Sequence, residues 1–159
     1  DALFAKVKYK HHLSGRDFYG LRLDSLRDKF ADIDYRFSFN FTYGYHWLET
    51  PETLFTTELG LGLTVEDKGR GRDEYLSGLF EQHYEHQFNP HAKVFQSLSF
   101  SPRLNNLSDY RIEFDAGLET KITETVSFKV SLENRYESSP AEEKESNDLK
   151  FVAGLSYQF

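Results

Sequence analysis

Between Tyr35 and Trp47 every odd position is aromatic: Tyr35, Phe37, Phe39, Phe41, Tyr43, Tyr45 and Trp47. Every even position between them is polar or a glycine: Arg36, Ser38, Asn40, Thr42, Gly44 and His46. Side chains alternate faces along a strand, so this stretch predicts one β-strand with an aromatic face and a hydrophilic face. The same period of two recurs along the chain and predicts strands over 2–11, 18–26, 35–47, 54–65, 75–88, 92–101, 110–121, 126–136 and 149–159. The seventh is clean, with Tyr110, Ile112, Phe114, Ala116 and Leu118 set against Arg111, Glu113, Asp115, Gly117 and Glu119. The fifth is imperfect, because Gln82 and His86 fall on its apolar side. No helical period and no low-complexity linker interrupts the series. Residues 1–159 therefore read as a single all-β domain.

Two architectures can use such strands. A soluble antiparallel barrel or sandwich buries the apolar face, whereas a membrane barrel turns it outward and keeps the polar face inside. The run from Tyr35 to Trp47 exceeds the roughly 9–11 residues that a tilted strand needs to cross a bilayer. It also ends in Tyr43, Tyr45 and Trp47, residue types that gather at a membrane–water interface. The pattern favours an antiparallel up-and-down transmembrane β-barrel.

Composition agrees with that expectation. Aromatic residues make up 16% of the chain while all hydrophobic residues reach only 38%, as expected when each apolar residue alternates with a polar one. No stretch of 18 apolar residues is present, which removes a transmembrane helix and leaves a barrel untouched. Cysteine is absent, so there is no disulfide framework and no thiolate metal site. A net charge of −7 argues against nucleic acid as a partner. No signal peptide is visible and the sequence starts at Asp1 without an initiator Met, so a processed or trimmed chain, its targeting segment removed, is expected.

Connections suggest an orientation. Asn89–His91 and Lys121–Thr125 are tight and predicted to be periplasmic, while Glu66–Glu74, Pro102–Asp109 and Glu137–Asp148 are longer and predicted to be extracellular. Tyr43, Tyr45, Trp47, Phe88, Tyr157 and Phe159 would then form the periplasmic aromatic belt, with Tyr75, Tyr110 and Tyr136 near the outer one. Nine strands is an odd number, and single-chain bacterial barrels have an even one. At least one further strand is expected before residue 1.

The inward face carries both signs of charge: Arg22, Asp24, Arg36, Glu58, Glu81, His83, Glu85, Arg111, Glu113, Asp115, Lys129, Glu133, Arg135 and Lys150. Such residues either line a pore or pair across a narrow lumen and plug it. Glu81, His83 and Glu85 share one face, which raises a metal or acid/base site, yet steps of about 6.8 Å along a strand are too wide for three ligands to meet one ion. His11-His12-Leu13-Ser14 invites comparison with a His/Ser hydrolase, but a polar turn explains it better. The acidic loop with Glu142, Glu143 and Glu145 could bridge divalent cations to lipopolysaccharide. No phosphate loop, zinc signature or nucleophile elbow is present. The expectation is no catalytic residue, no metal and no cofactor.

The chain ends in Phe159, preceded at every second position by Tyr157, Leu155, Ala153 and Phe151. This resembles the C-terminal signal read by the outer-membrane barrel-assembly machinery, with Phe151, Leu155, Tyr157 and Phe159 as its core. Two blocks, residues 27–36 with Gly44-Tyr45 and Leu59-Gly60-Leu61-Gly62, and Asn134–Pro140 with Asp148–Phe159, resemble the Gram-negative barrels labelled salt-induced outer-membrane proteins. That resemblance implies residence in the bacterial outer membrane, further strands upstream and no catalytic residues. It implies contact with outer-membrane lipid and lipopolysaccharide, the assembly machinery during biogenesis, and possible protein complex partners. The expected function is a porin-like passive small channel or a structural barrel of the cell envelope. A docking barrel for a partner complex and a lipid-modifying enzyme are the alternatives.

Overall fold

The computed structural model describes residues 2–29, 33–68, 71–140 and 145–157. Nine strands run in order: β1 (Ala2–His12), β2 (Asp17–Asp28), β3 (Ile33–Glu49), β4 (Thr53–Asp67), β5 (Arg72–Asn89), β6 (Ala92–Arg103), β7 (Asn106–Lys121), β8 (Val126–Glu137) and β9 (Asn147–Tyr157). They form one antiparallel sheet in chain order, each strand pairing with its sequence neighbours. Each overlaps a strand predicted from alternation, with β3, β5 and β7 running longer than predicted, and residues 158–159 of the predicted ninth strand lie outside the described residues.

The connections are shorter than the sequence suggests. Glu66 pairs with Asp73 and Asp67 with Arg72, so the connection expected over Glu66–Glu74 shrinks to 68–71. Gly71, at φ 103°, supplies the left-handed residue this reversal needs. The connection expected over Pro102–Asp109 reduces to Leu104 and Asn105. Charged residues look like loop in sequence, yet in a hairpin they continue the ladder as long as a partner lies opposite. The connection 138–146 keeps close to its expected length. The acidic Glu142 and Glu143 of that loop lie outside the described residues.

The sheet is strongly curled. In a flat sheet, six strand spacings would set β1 and β7 about 29 Å apart, yet Lys6 of β1 lies 3.9 Å from Glu113 of β7. Curling gives the sheet a convex face and a concave face, and the sequence alternation sorts residues between them. Apolar side chains go to the convex face in continuous cross-strand rows. One row is Val7, Leu23, Phe39, Leu63 and Leu76, and another is Tyr9, Leu21, Phe41 and Leu61. On the far strands Phe100, Ile112 and Tyr136 align, as do Ala116, Leu132 and Phe151. Phe39 is 46% exposed and Leu61 64%, while between and opposite them Thr42 is 1% exposed and Thr64 is fully buried. This reverses the usual partition of a soluble domain.

The sheet is not closed. Among the described residues β1 pairs only with β2 and β9 only with β8, so the closed barrel expected from the alternation is present as an open, curled nine-stranded sheet.

The polar interior as candidate functional site

Arg36 points inward because its neighbours Tyr35 and Phe37 take the other face. It is only 6% exposed, so its charge must be met locally. Its Nε donates to Glu66 Oε2 at 2.5 Å on adjacent β4, and its Nη2 donates to Glu137 Oε1 at 2.7 Å on β8, across the concavity. Lys68 Nζ lies 2.5 Å from the same Glu137 oxygen, and Arg111 of β7 lies 3.8 Å from Glu66. Arg111 also donates to the Tyr75 hydroxyl at 3.2 Å, and Arg103 stacks 4.3 Å above the Tyr75 ring. Tyr75, expected in an outer aromatic belt, is instead buried in this knot. Alternation explains the correction, since Leu76 occupies the convex face and its neighbour must turn inward. Beyond the apolar rows, at the loop end of β5, a hydrogen bond from Arg103 at 2.5 Å holds the Asp73 carboxyl below its ordinary range.

A second cluster lies midway along the interior. Arg22 of β2 bonds Asp24 through Nε at 2.6 Å and also reaches Glu81 of β5. Lys8 of β1 bonds Glu81 at 2.6 Å, and Lys10 lies 2.7 Å from Glu58 of β4. Glu58 and Glu81 sit directly opposite one another in the β4–β5 register, an arrangement that repels. The two β1 lysines reach across to neutralise that pair. These contacts also hold β1 against the middle of the sheet.

Near the end formed by residues 13–16 and 50–52, the interior holds a ring the sequence reading missed. Phe18 is fully buried on the concave face and stands opposite Gly44 in the β2–β3 register. A Cβ at residue 44 would lie 2.1 Å from the Phe18 ring, so the ring occupies the space that glycine leaves. Lys10 sits 4.2 Å over the ring, and His46 packs 4.8 Å from it. The same device recurs with Phe95 opposite Gly117, where Lys129 sits 4.4 Å over the phenylalanine. The available signal was an inward glycine paired with an aromatic on the neighbouring strand.

The remaining candidates fall on the expected face. Glu113 stands opposite Arg135, Glu119 opposite Lys129, and Glu133 between Asp115 on β7 and Lys150 on β9. Lys150 pairs along its own strand with Asp148 at 2.6 Å. His83 bonds Glu85 at 2.8 Å and Ser97 at 2.9 Å, while Glu81 turns away to Arg22 and Lys8. The three do not converge. No group of three or more such ligands among the described residues is placed to hold a metal ion. In the first turn, Ser14 donates to Asp17 at 2.7 Å while His12 stacks on His46 at 5.8 Å, so histidine and serine engage different partners.

On the convex face Tyr43 donates to Asp17 at 2.5 Å and Trp47 donates through Nε1 to Thr57 at 2.9 Å. Tyr45 packs edge-on against Trp47, and Tyr136 packs against Tyr110. Phe151 and Leu155 are exposed on β9. Tyr157 pairs with Val126 through its backbone, and Phe159 lies outside the described residues.

Among the described residues, the interior holds hollows. One, of about 350 Å³, is bordered by Arg22, Arg36 and Arg111 together with Glu113 and Glu137. Another, of about 260 Å³, is bordered by His83, Glu85, Lys93 and Lys129. Asp115 and Glu133 border both.

Fold and interior together define a curled, all-β antiparallel sheet with an apolar convex face and a charged, hydrogen-bonded concave face. Residues 1–159 match the family described as Protein of unknown function, DUF481, and the chain belongs to that family. Among the curated proteins and the solved structures compared with it, none matches.

Proposed function

We propose that this chain forms most of an outer-membrane β-barrel of a Gram-negative bacterium, and that the barrel acts as a passive small channel. The observation that carries the reading is the inversion of faces. Phe37, Phe39, Phe41, Leu59, Leu61 and Leu63 stand exposed in one band, while Arg22, Arg36, Glu58 and Glu66 are buried behind them. A band this continuous is far from the scattered apolar residues of a soluble surface, and lipid covers it without cost. The free edges of β1 and β9 would leave backbone groups unsatisfied in hydrocarbon. At least one further strand, inserted between those edges, completes the barrel in this reading.

The channel part rests on the interior hollows and their charged borders. A second reading, a barrel that braces the envelope under osmotic stress, draws on the ion pairs that cross the interior, Arg36 to Glu137 and Lys8 to Glu81. The salt-related part of that second reading leans on the family resemblance alone.

Conductance separates the two. The full-length protein reconstituted in a planar lipid bilayer is expected to give discrete current steps that grow with salt concentration. An inserted, folded protein that stays silent would overturn the channel and leave the brace.

A further inference from the structure

Two hydrogen-bonded amides interrupt the apolar convex face. Gln82 of β5 turns outward between Phe80 and Tyr84, and Leu98 of β6 stands opposite it. Gln96 of β6 turns outward between Val94 and Leu98, opposite Ala116 of β7. Gln82 donates through Nε2 to Gln96 Oε1 at 2.8 Å. That bond uses one N–H and one carbonyl oxygen. Among the described residues the pair makes no other hydrogen bond, so the Gln82 carbonyl oxygen and both N–H groups of Gln96 stay open. Thr57, opposite Gln82 on β4, is already taken as the acceptor of the Trp47 indole.

The position of the pair makes those open groups costly. Gln82 is the eleventh of the 18 residues of β5, close to mid-strand. Apolar side chains flank the pair on both sides, Leu98 and Phe114 toward one end of the sheet and Val94 and Leu118 toward the other. In hydrocarbon no water meets an open amide, and each unmet donor or acceptor is strongly unfavourable. His86, also polar and outward on β5, lies nearer the turn and is met by Thr53 Oγ1 at 2.8 Å. Acyl chains offer the glutamines nothing comparable.

We propose that this patch is the contact face of a homodimer, in which a second copy of the chain covers the Gln82–Gln96 pair. The proposal rests on the outer-membrane reading above and does not depend on whether the lumen conducts. Two barrels inserted the same way in one membrane are related by a two-fold axis along the membrane normal, so the patch must match itself. These amides do. The spare acceptor sits on β5 and the spare donors on adjacent β6. A half-turn brings the Gln96 N–H groups of each copy toward the Gln82 carbonyl oxygen of the other, forming two hydrogen bonds around the axis. The surrounding Phe80, Leu98, Phe114 and Ala116 carry no charge, so like copies do not repel there. Ala116 is small enough to let the two surfaces approach closely.

The test counts copies. Full-length protein with one fluorophore per chain is diluted into lipid vesicles and scored by single-molecule photobleaching, for the parent and for Gln82→Leu with Gln96→Leu. Leucine suits a lipid face, so the double variant should fold, which circular dichroism and flotation with the vesicles check. Two bleaching steps per spot are expected for the parent. Two hydrogen bonds of the strength found between membrane segments correspond to a roughly tenfold weaker dimer when lost. At the dilution where parent spots begin to lose their second step, the double variant should show mainly one. In a cysteine-free background, Leu98→Cys should cross-link copies on oxidation, whereas Leu61→Cys on β4 should not. Single steps from a floating, folded parent, a double variant as dimeric as the parent, or no cross-link at residue 98 would overturn the dimer face and leave the barrel standing. A chain that does not float with the vesicles would overturn both.

Discussion

Placing an arginine at Phe39 is expected to cost about 2–4 kcal/mol of folding stability in a bilayer, the penalty for a cation at the midplane of a barrel's lipid face. Phe39 lies mid-strand on β3, with Leu23 and Leu63 opposite it on the two neighbouring strands. It is 46% exposed, so no packed core accounts for its aromatic character. The same substitution on a water-bathed surface would stay within about 0.5 kcal/mol. Denaturant unfolding of Phe39→Arg and parent protein in lipid vesicles therefore discriminates between environments. A shift near zero would mean that the convex face is not in contact with lipid.

Removal of Arg36 should cost a comparable amount. Its guanidinium joins Glu66 on β4 to Glu137 on β8, and Glu66 itself is 3% exposed. Arg36→Met keeps much of the aliphatic stem and leaves both carboxylates short of a partner. Breaking a buried pair from one side typically costs about 3–5 kcal/mol. Lys68 and Arg111 lie within 4 Å of the same acids and will recover part of that loss, so the lower end is expected. Neutralising the acids as well, with Glu66→Gln and Glu137→Gln, should restore most of the stability. A triple variant no better than Arg36→Met alone would show that the arginine acts through its packing rather than its charge.

Strand number and face assignment were legible in the sequence because a period of two needs no tertiary context. The Tyr35–Trp47 run set the faces of β3, and hairpin order carried the same assignment to both sides. Turn lengths were less legible. Glu66, Asp67, Arg72 and Asp73 look like a solvated loop, yet they pair across a hairpin. Tyr75 was misplaced because its aromatic type suggested an interface, although the adjacent Leu76 already required it to point inward. The partners of the inward charges could not be read at all. Whether Arg36 meets Glu137, or Lys10 meets Glu58, depends on how tightly the sheet curls and how far each strand is shifted against the next. Phe18 was hidden for the same reason, since its space exists only where Gly44 lies opposite.

The most direct measurement uses Trp47, the one tryptophan in these 159 residues. It stands 56% exposed at the end of the aromatic run, beside the β-bulge between His46 and Leu48. Its fluorescence, read against a Trp47→Phe control in the full-length protein, can be quenched from lipid or from water. Strong quenching by lipids brominated near the headgroup, with weak quenching by aqueous acrylamide, is the expected result. Free access to acrylamide with no response to brominated lipid would contradict it and place the convex face outside the membrane.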